Sequence, residues 1–304
     1  MRMRGPVVVL AGGTGGAKLA RGMADVVDDL VVIANTGDDV EIHGGYVSPD
    51  PDLISFWLAD RINDRGWGLE GDTFNTMDGL RELGQEVWFN LGDRDLALAI
   101  WRAQRLAAGE RLTSIHADAS KAIGVAASVL PMSDLPVRTR VAAGGRWWPI
   151  QEYLIRSGWP AVEDVQFHGA RQTTPEVLAA LAGARAIVIG PSNPVISIGP
   201  MLAIPELAAA LANATAPRVA VSPIVDGRVL KGPTAAFMRW RGVAPDNAGV
   251  AARYEGLIDG IVADATVPGV VTAVKELGMD DAAKRTYLAR ETLRFADQVA
   301  SLRR

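Results

Sequence analysis

The 304-residue chain contains no cysteine. That excludes disulfides, thiolate metal centres and a cysteine nucleophile together, and it suits a reducing compartment. Positive charge is not in excess either: 31 Lys and Arg stand against 35 Asp and Glu, for a net of -4. No field of the kind that attracts nucleic acid or an anionic membrane is available, so any phosphate must be held locally, by loops. Long apolar runs are missing as well. The N-terminal stretch offers two arginines and then Val7 to Ala11 before glycines, shorter than a signal-peptide core and far short of a membrane span. The expectation is a cytoplasmic protein with small-molecule partners, neither nucleic acid nor membrane. Internal repeats and low-complexity tracts are absent too. His43 has no histidine or cysteine near it in sequence, which argues against zinc and for a hydrogen-bonded loop residue.

What is present is ordinary globular composition, 49% hydrophobic and 22% charged, enough to build a sizeable core. Short apolar runs at Val7 to Ala11, Leu30 to Ala34, Ala186 to Ile189, Val219 to Val221 and Ile258 to Val262 read as buried strands. Helix-length segments separate them: 17–27, 53–63, 76–83, 96–108, 114–127, 175–181, 205–212 and 280–302. Strands joined by helices imply crossovers and a mainly parallel sheet. The fold class is therefore α/β, a Rossmann-like sheet with flanking helices in a single domain spanning 1–304. Between about 128 and 170 the texture changes: Thr139, Val141, Trp147 and Trp148 around Gly144-Gly145 predict a hairpin in a small β-containing insertion. A symmetric homodimer is the commonest assembly for such a chain.

The chemistry-bearing residues gather just after these strands, where open parallel sheets bind ligands. Gly12, Gly13, Thr14, Gly15 and Gly16 run from the first strand into a helix, with Lys18 following; glycines there let backbone N–H groups approach an anion, and the helix start favours it. The second strand ends in Asn35-Thr36-Gly37-Asp38-Asp39, and Ser48-Pro49-Asp50-Pro51-Asp52 follows. Such carboxylates suit magnesium, which takes one or two of them plus phosphate oxygens; capping roles for Asp39 and Asp50 are the competing reading. After a strand-like Val87 to Asn90 comes Leu91-Gly92-Asp93-Arg94-Asp95, in which Arg94 either clamps an anion bidentately or pairs internally with its acidic neighbours. Loops after later strands carry Ser192, Asn193 and Ser197, then Ser222 and Lys231, polar groups able to surround a phosphate or a guanine edge.

Eight ordered motifs, AGGTGGAKL, NTGDD, SPDPD, LGDRD, LPMSD, GPSNP, SIGPML and SPIV with KGP, run from Ala11 to Pro233 within a stretch of about Val7 to Asp264. In that order they resemble the 2-phospho-L-lactate transferase family. The resemblance implies transfer of a phospholactyl, phosphoenolpyruvyl or phosphoglyceryl unit from a guanosine-diphosphate-linked donor. The acceptor would be the ribityl hydroxyl of 7,8-didemethyl-8-hydroxy-5-deazariboflavin, and GMP would leave, in biosynthesis of coenzyme F-420. It further implies Mg2+ held by Asp38 and Asp52, and catalytic roles for Asp38, Asp52 and Arg94. The glycine loop, Lys18 and the GPSNP loop would bind the guanosine phosphates, while Asp52, Asn90 and Arg94 would border the deazaflavin. Two departures stand out: Pro51-Asp52-Leu53 occupies a segment that commonly reads L-D-T in the family, and Asn90 stands where some members carry a basic residue. A sugar-nucleotide-binding regulator of cell-wall metabolism shares the glycine-rich start and acidic second motif, and is the alternative reading. LGDRD and the pairing of GPSNP with SIGP favour the enzyme.

Overall fold

The computed structural model describes residues 5–169, 172–229 and 232–303. Lys231, a sequence candidate, lies outside them. In chain order the first half comprises β1 (Val7–Ala11), α1 (Gly13–Ala24), β2 (Leu30–Ala34), the hairpin β3 (Val40–Ile42) and β4 (Gly45–Val47), α2 (Pro49–Leu58), α3 (Asn75–Glu82), α4 (Asp93–Ala107), α5 (Leu112–Ala122) and β5 (Ser128–Pro131). Next come β6 (Val137–Ala143), β7 (Arg146–Pro149), α6 (Ile150–Arg156) and β8 (Val162–Gly169). The remainder is α7 (Pro175–Gly183), β9 (Ala186–Ile189), α8 (Gly199–Leu202), α9 (Pro205–Ala212), β10 (Arg218–Val221), β11 (Ile224–Val225), β12 (Arg228–Val229), α10 (Thr234–Trp240), α11 (Asn247–Arg253), β13 (Gly260–Ala263), β14 (Thr272–Val274) and α12 (Ala282–Leu302).

Seven strands form one parallel sheet in the order β14-β13-β10-β9-β1-β2-β5. Side chains alternate between its faces. Val8, Leu10, Ile33, Ile187 and Ile189 pack on one side with Met201, Leu207, Leu211 and Tyr254. Val7, Val9, Val32, Val188 and Val221 pack on the other with Leu19, Met23, Leu288, Phe295 and Val299. Helices cover both faces, which is why these strands read as unbroken apolar runs; each such fully buried side chain contributes about 1.5–3 kcal/mol. The chain leaves β1 for β2 in one direction and returns to β9 on its other side. That reversal opens a crevice at the carboxyl ends of β1 and β9, the position where such sheets bind ligands. Among the described residues no helix is long and apolar enough to cross a membrane.

Several elements differ from the sequence expectation. Ser128–Pro131 opens no insertion; it pairs with β2 as the sheet's edge strand. The separate three-stranded antiparallel sheet, β7-β6-β8, starts at Val137, and its hairpin turns at Gly144 (φ 60) and Gly145 (φ 73), where only glycine is comfortable. Val87 to Asn90 is not a strand: Phe89 buries itself with Met77, Leu91, Leu96 and Val47 in a small satellite core instead. Helices α1 and α2 begin four residues earlier than their apolar periodicity suggests, at Gly13 and Pro49. Proline suits a first helical position, since its missing N–H would have had no partner there. This shift matters for function, because it puts Asp50 and Asp52 on the first turn of a helix.

Candidate functional site

A cleft of about 570 Å³ opens at the carboxyl ends of β1, β2, β9 and β10. Gly12, Gly13, Thr14, Gly15 and Lys18 line one wall; Ser192, Asn193 and Ser197 a second; Ser222 and Thr234 a third; and Gln151, on α6, reaches in from the insertion. Glycine is required here for close approach. A Cβ on Gly15 would lie 2.1 Å from the Pro191 carbonyl oxygen, and one on Gly12 would lie 2.6 Å from Asp50 Oδ2. Two loop N–H groups are already used: Gly12 N donates to Ser192 Oγ at 3.1 Å and Gly13 N to Asp50 Oδ1 at 2.7 Å. The N–H groups of Thr14 and Gly15 sit in the first turn of α1, where no intrahelical carbonyl is available, so the positive helix end faces this cleft. Lys18 Nζ lies 5.6 Å from the Trp57 ring centroid at the rim.

At the cleft floor Asn35 Nδ2 donates to Asp38 Oδ1 at 3.0 Å and to Asp50 Oδ2 at 2.9 Å. One buried amide thus holds two buried carboxylates side by side, and its own Oδ1 accepts from Gly37 N at 2.8 Å. Burial and the neighbouring Asp50 push the Asp38 carboxyl well above its usual range. Burial raises Asp50 too, opposed by the hydrogen bonds from Asn35 and Gly13. Two like charges at this separation disfavour each other's ionisation, and a hard divalent cation that bonds to both removes the conflict. Magnesium needs only one or two protein carboxylates when phosphate oxygens and water complete its shell, so the pair fits it. Among the described residues no group of three or more His, Asp or Glu side chains converges as a metal site, here or elsewhere, so a cation on this pair would draw its remaining ligands from phosphate and water.

Asp52 is not part of that pair. Residues two apart on a helix point about 200° away from each other, and Asp52 turns to Arg102 of α4, which is fully buried. Arg102 Nη2 and Nη1 both donate to it, the latter at 3.1 Å, and Nη1 also donates to the Tyr46 carbonyl at 2.9 Å. Burial pushes the Asp52 carboxyl upward and Arg102 opposes this. Behind it His116, lowered to about 3 by burial and by Arg102, is neutral, with Nε2 3.0 Å from Ser55 Oγ. Asp39 is likewise occupied, accepting from Ser48 Oγ at 2.8 Å, and burial pushes it up to about 8.

A second, smaller cleft of about 140 Å³ adjoins the first. Phe56, Trp67, Phe74 and Phe89 line it, together with Asp52, Asn90 and Asp95. The Arg65 guanidinium lies 5.6 Å from the Trp67 ring and 5.2 Å from the Phe74 ring. Asp50 lines both clefts. A polar, anion-ready cleft therefore meets an aromatic one at a single carboxylate.

A family model described as 2-phospho-L-lactate transferase CofD matches residues 7–288. The 2-phospho-L-lactate transferase of Methanosarcina mazei is 36% identical over 264 residues, covering 85% of this chain and 86% of that protein. The phosphoenolpyruvate transferase of Streptomyces griseus is 37% identical over 315 aligned positions, covering 96% and 99%. The chain belongs to the 2-phospho-L-lactate transferase family. Its fold is also that of a Bacillus halodurans protein of the UPF0052 family, at a TM-score of 0.62 and 18% identity, covering 96% of this chain and 99% of that one.

Within this family frame the candidates sort by position. Gly12, Gly13, Thr14, Gly15, Lys18, Asp38, Asp50, Ser192, Asn193, Ser197 and Ser222 share the large cleft, whereas Gly16 is buried beneath it against Ala11 and Ser192. Asn193 and Ser222 also build their loops: Asn193 Oδ1 accepts from Val195 N at 2.9 Å, and Ser222 Oγ donates to Asn247 Oδ1 at 2.6 Å. Asn90 lines the aromatic cleft, its Oδ1 accepting from Arg81 at 2.6 Å. Arg94 is exposed at the start of α4 and lines neither cleft. Its acidic neighbours do not hold it, because Asp93 accepts from Thr73, Asn75 and Thr76, while Asp72 accepts from the Arg94 backbone. His43 bonds the Phe89 carbonyl at 3.1 Å, a loop tie as expected. Sequence reasoning passed over Asn35, Gln151, Thr234, Arg65 and Arg102. Asn35 alone left a signal, a polar amide closing a buried strand beside the Gly-Asp-Asp run.

Proposed function

We propose that this transferase-family chain moves a phosphate-linked three-carbon acid, phospholactyl, phosphoenolpyruvyl or phosphoglyceryl, from a guanosine-diphosphate-linked donor onto the ribityl hydroxyl of 7,8-didemethyl-8-hydroxy-5-deazariboflavin, releasing GMP in coenzyme F-420 biosynthesis. The observation that carries the reading is the meeting of two chemically different clefts at Asp50. The larger suits the donor: α1's N-terminus, Lys18 and the loops at Ser192 to Ser197 are groups that bind phosphates and a polar base edge. The smaller suits a flat heterocycle, with aromatic faces for stacking and Arg65 beside them. An acceptor stacked there directs its chain past Asp50 toward the donor phosphorus.

Attack by the hydroxyl oxygen forms one P–O bond, breaks the P–O bond to the GMP phosphate and releases the hydroxyl proton to solvent. Such transfer is accelerated mainly by positioning and charge stabilisation. Asn35 and the Gly13 N–H fix the Asp50 carboxylate, and Asn35 fixes Asp38 against it. Asp38 and Asp50 would hold Mg2+, which supplies charge neutralisation on the phosphate oxygens when bound. Asp52, locked to Arg102, orients the turn that carries Asp50.

Calorimetric titration tests the reading: GDP and the deazaflavin bind together, and Trp67→Ala weakens only the deazaflavin. Mutually exclusive binding, or affinity for a UDP-sugar with none for the deazaflavin, sinks it and favours a sugar-nucleotide-binding regulator.

A further inference from the structure

Behind the large cleft, on the other side of the loop that joins β9 to α8, lies a separate cavity of about 470 Å³, within the range of small-molecule sites. Phe167, Val195, Leu202, Trp240 and Leu257 form its apolar walls, and among the described residues Arg241 and Arg253 are its charged lining groups. Val195 faces this cavity while Ile196 and Ser197 face the large cleft. Trp240 is held in place by its Nε1 donating to the Glu163 carbonyl at 3.0 Å.

The two arginines are the cavity's charged feature. Some half-buried arginines of the chain meet carboxylates, Arg21 bonding Asp25 and Asp60 and Arg138 bonding Glu41, whereas Arg61, Arg185 and Arg285 meet none among the described residues. Among the described residues no hydrogen bond, ion pair or ring contact serves either guanidinium in this cavity. Arg253 is half-buried, and its Nε is buried with no partner. Burial presses its pKa downward, with the charge of Arg241 adding to this and the neighbouring Tyr254 opposing it, whereas the carboxylates bonded to Arg21 raise that group's pKa. Arg241 is exposed and Arg253 partly desolvated, so an anion bonded to both offsets the desolvation of Arg253 and the repulsion between the two charges.

We propose that this cavity is a second ligand site, taking a small organic anion: a carboxylate or phosphate between Arg241 and Arg253, carried on an apolar body that packs against Phe167, Leu202 and Trp240. It is separate from the donor cleft, and the inference stands whether or not the transfer reaction is the one proposed above.

The probe is 8-anilinonaphthalene-1-sulfonate, titrated by fluorescence into the full chain with saturating GDP, alongside uncharged N-phenyl-1-naphthylamine. Loss of a charge-assisted contact lowers affinity by about tenfold or more. The expected result is that loss for the sulfonate in Arg241→Gln and in Arg253→Gln, with no change in Trp67→Ala and no Arg dependence for the uncharged probe. Arg241 is exposed, so its variant keeps the test sound even if Arg253→Gln folds poorly. Equal sulfonate affinity in Arg241→Gln and the parent, or weakening only in Trp67→Ala, overturns the assignment. So does sedimentation showing that the cavity is closed by a second copy of the chain.

Discussion

Replacing Asp52 by Asn separates the two roles this residue has been given. As a loop ligand for a metal, it would be lost without harm to the fold. Its actual partner is Arg102, fully buried, while Asp52 itself retains only 13% side-chain exposure. Removing one member of a buried pair costs about 3–5 kcal/mol, mostly because the other charge is left in the interior. Asn keeps one carbonyl acceptor and the site is slightly open, so the lower end applies. With an unfolding entropy of about 2.1 cal/mol/K per residue, a loss of about 3–5 kcal/mol lowers the melting temperature of a chain this long by about 5–8 °C. Differential scanning calorimetry on Asp52→Asn should show a fall near 5 °C, and the double variant Asp52→Leu/Arg102→Met should recover most of it, because apolar replacement of both partners removes the stranded charge. A melting temperature within about 1 °C of the parent in Asp52→Asn would refute the reasoning.

Asp50→Asn should behave in the opposite way, lowering turnover at least about a hundredfold while costing less stability than Asp52→Asn, since it relieves the repulsion with Asp38; rate and melting curves on the same preparations check both. Gly15→Ala drives a Cβ to within 2.1 Å of the Pro191 carbonyl, so overpacking of about 1–3 kcal/mol and weaker GDP binding are expected, the second read by calorimetry. Asp95, pushed up to about 7 by burial and by the charges of Asp52 and Asp72, binds more protons in the folded chain than in the unfolded one between about pH 4 and 7. Its contribution to stability therefore falls as pH rises through that window, and Asp95→Asn should raise the melting temperature at pH 8 but not at pH 4.5. Arg94→Ala, at an exposed position outside both clefts, should leave deazaflavin and GDP affinities unchanged; a tenfold loss of either would return Arg94 to the site.

The inner strands were legible because burial on both faces writes them as apolar runs: β1, β2 and β9 have the bounds that the runs predict. The edge strands β5 and β14 were not, since partial exposure leaves them short and mixed in character. Site motifs were visible as loops at strand ends, and the cleft gathers most of them. Their internal assignments were less visible. Asp38, Asp50 and Asp52 look interchangeable in one dimension. The choice between them depends on where α2 starts, which turns Asp50 and Asp52 apart, and on Arg102, fifty positions downstream of Asp52, a partner no local pattern announces. Arg94 shows the converse: a charged residue in a distinctive motif whose neighbour Asp93 caps α3 instead of holding its side chain, while the distant Asp72 caps α4 through the Arg94 backbone.

The most direct measurement is mass-spectrometric turnover with purified protein, Mg2+, the deazaflavin and each of the three guanosine-diphosphate-linked donors in turn. The account predicts a phosphodiester product mass and released GMP from one donor, nothing in EDTA, and nothing from Asp50→Asn. Binding of the deazaflavin without product from any donor, or full turnover by Asp50→Asn, would contradict it.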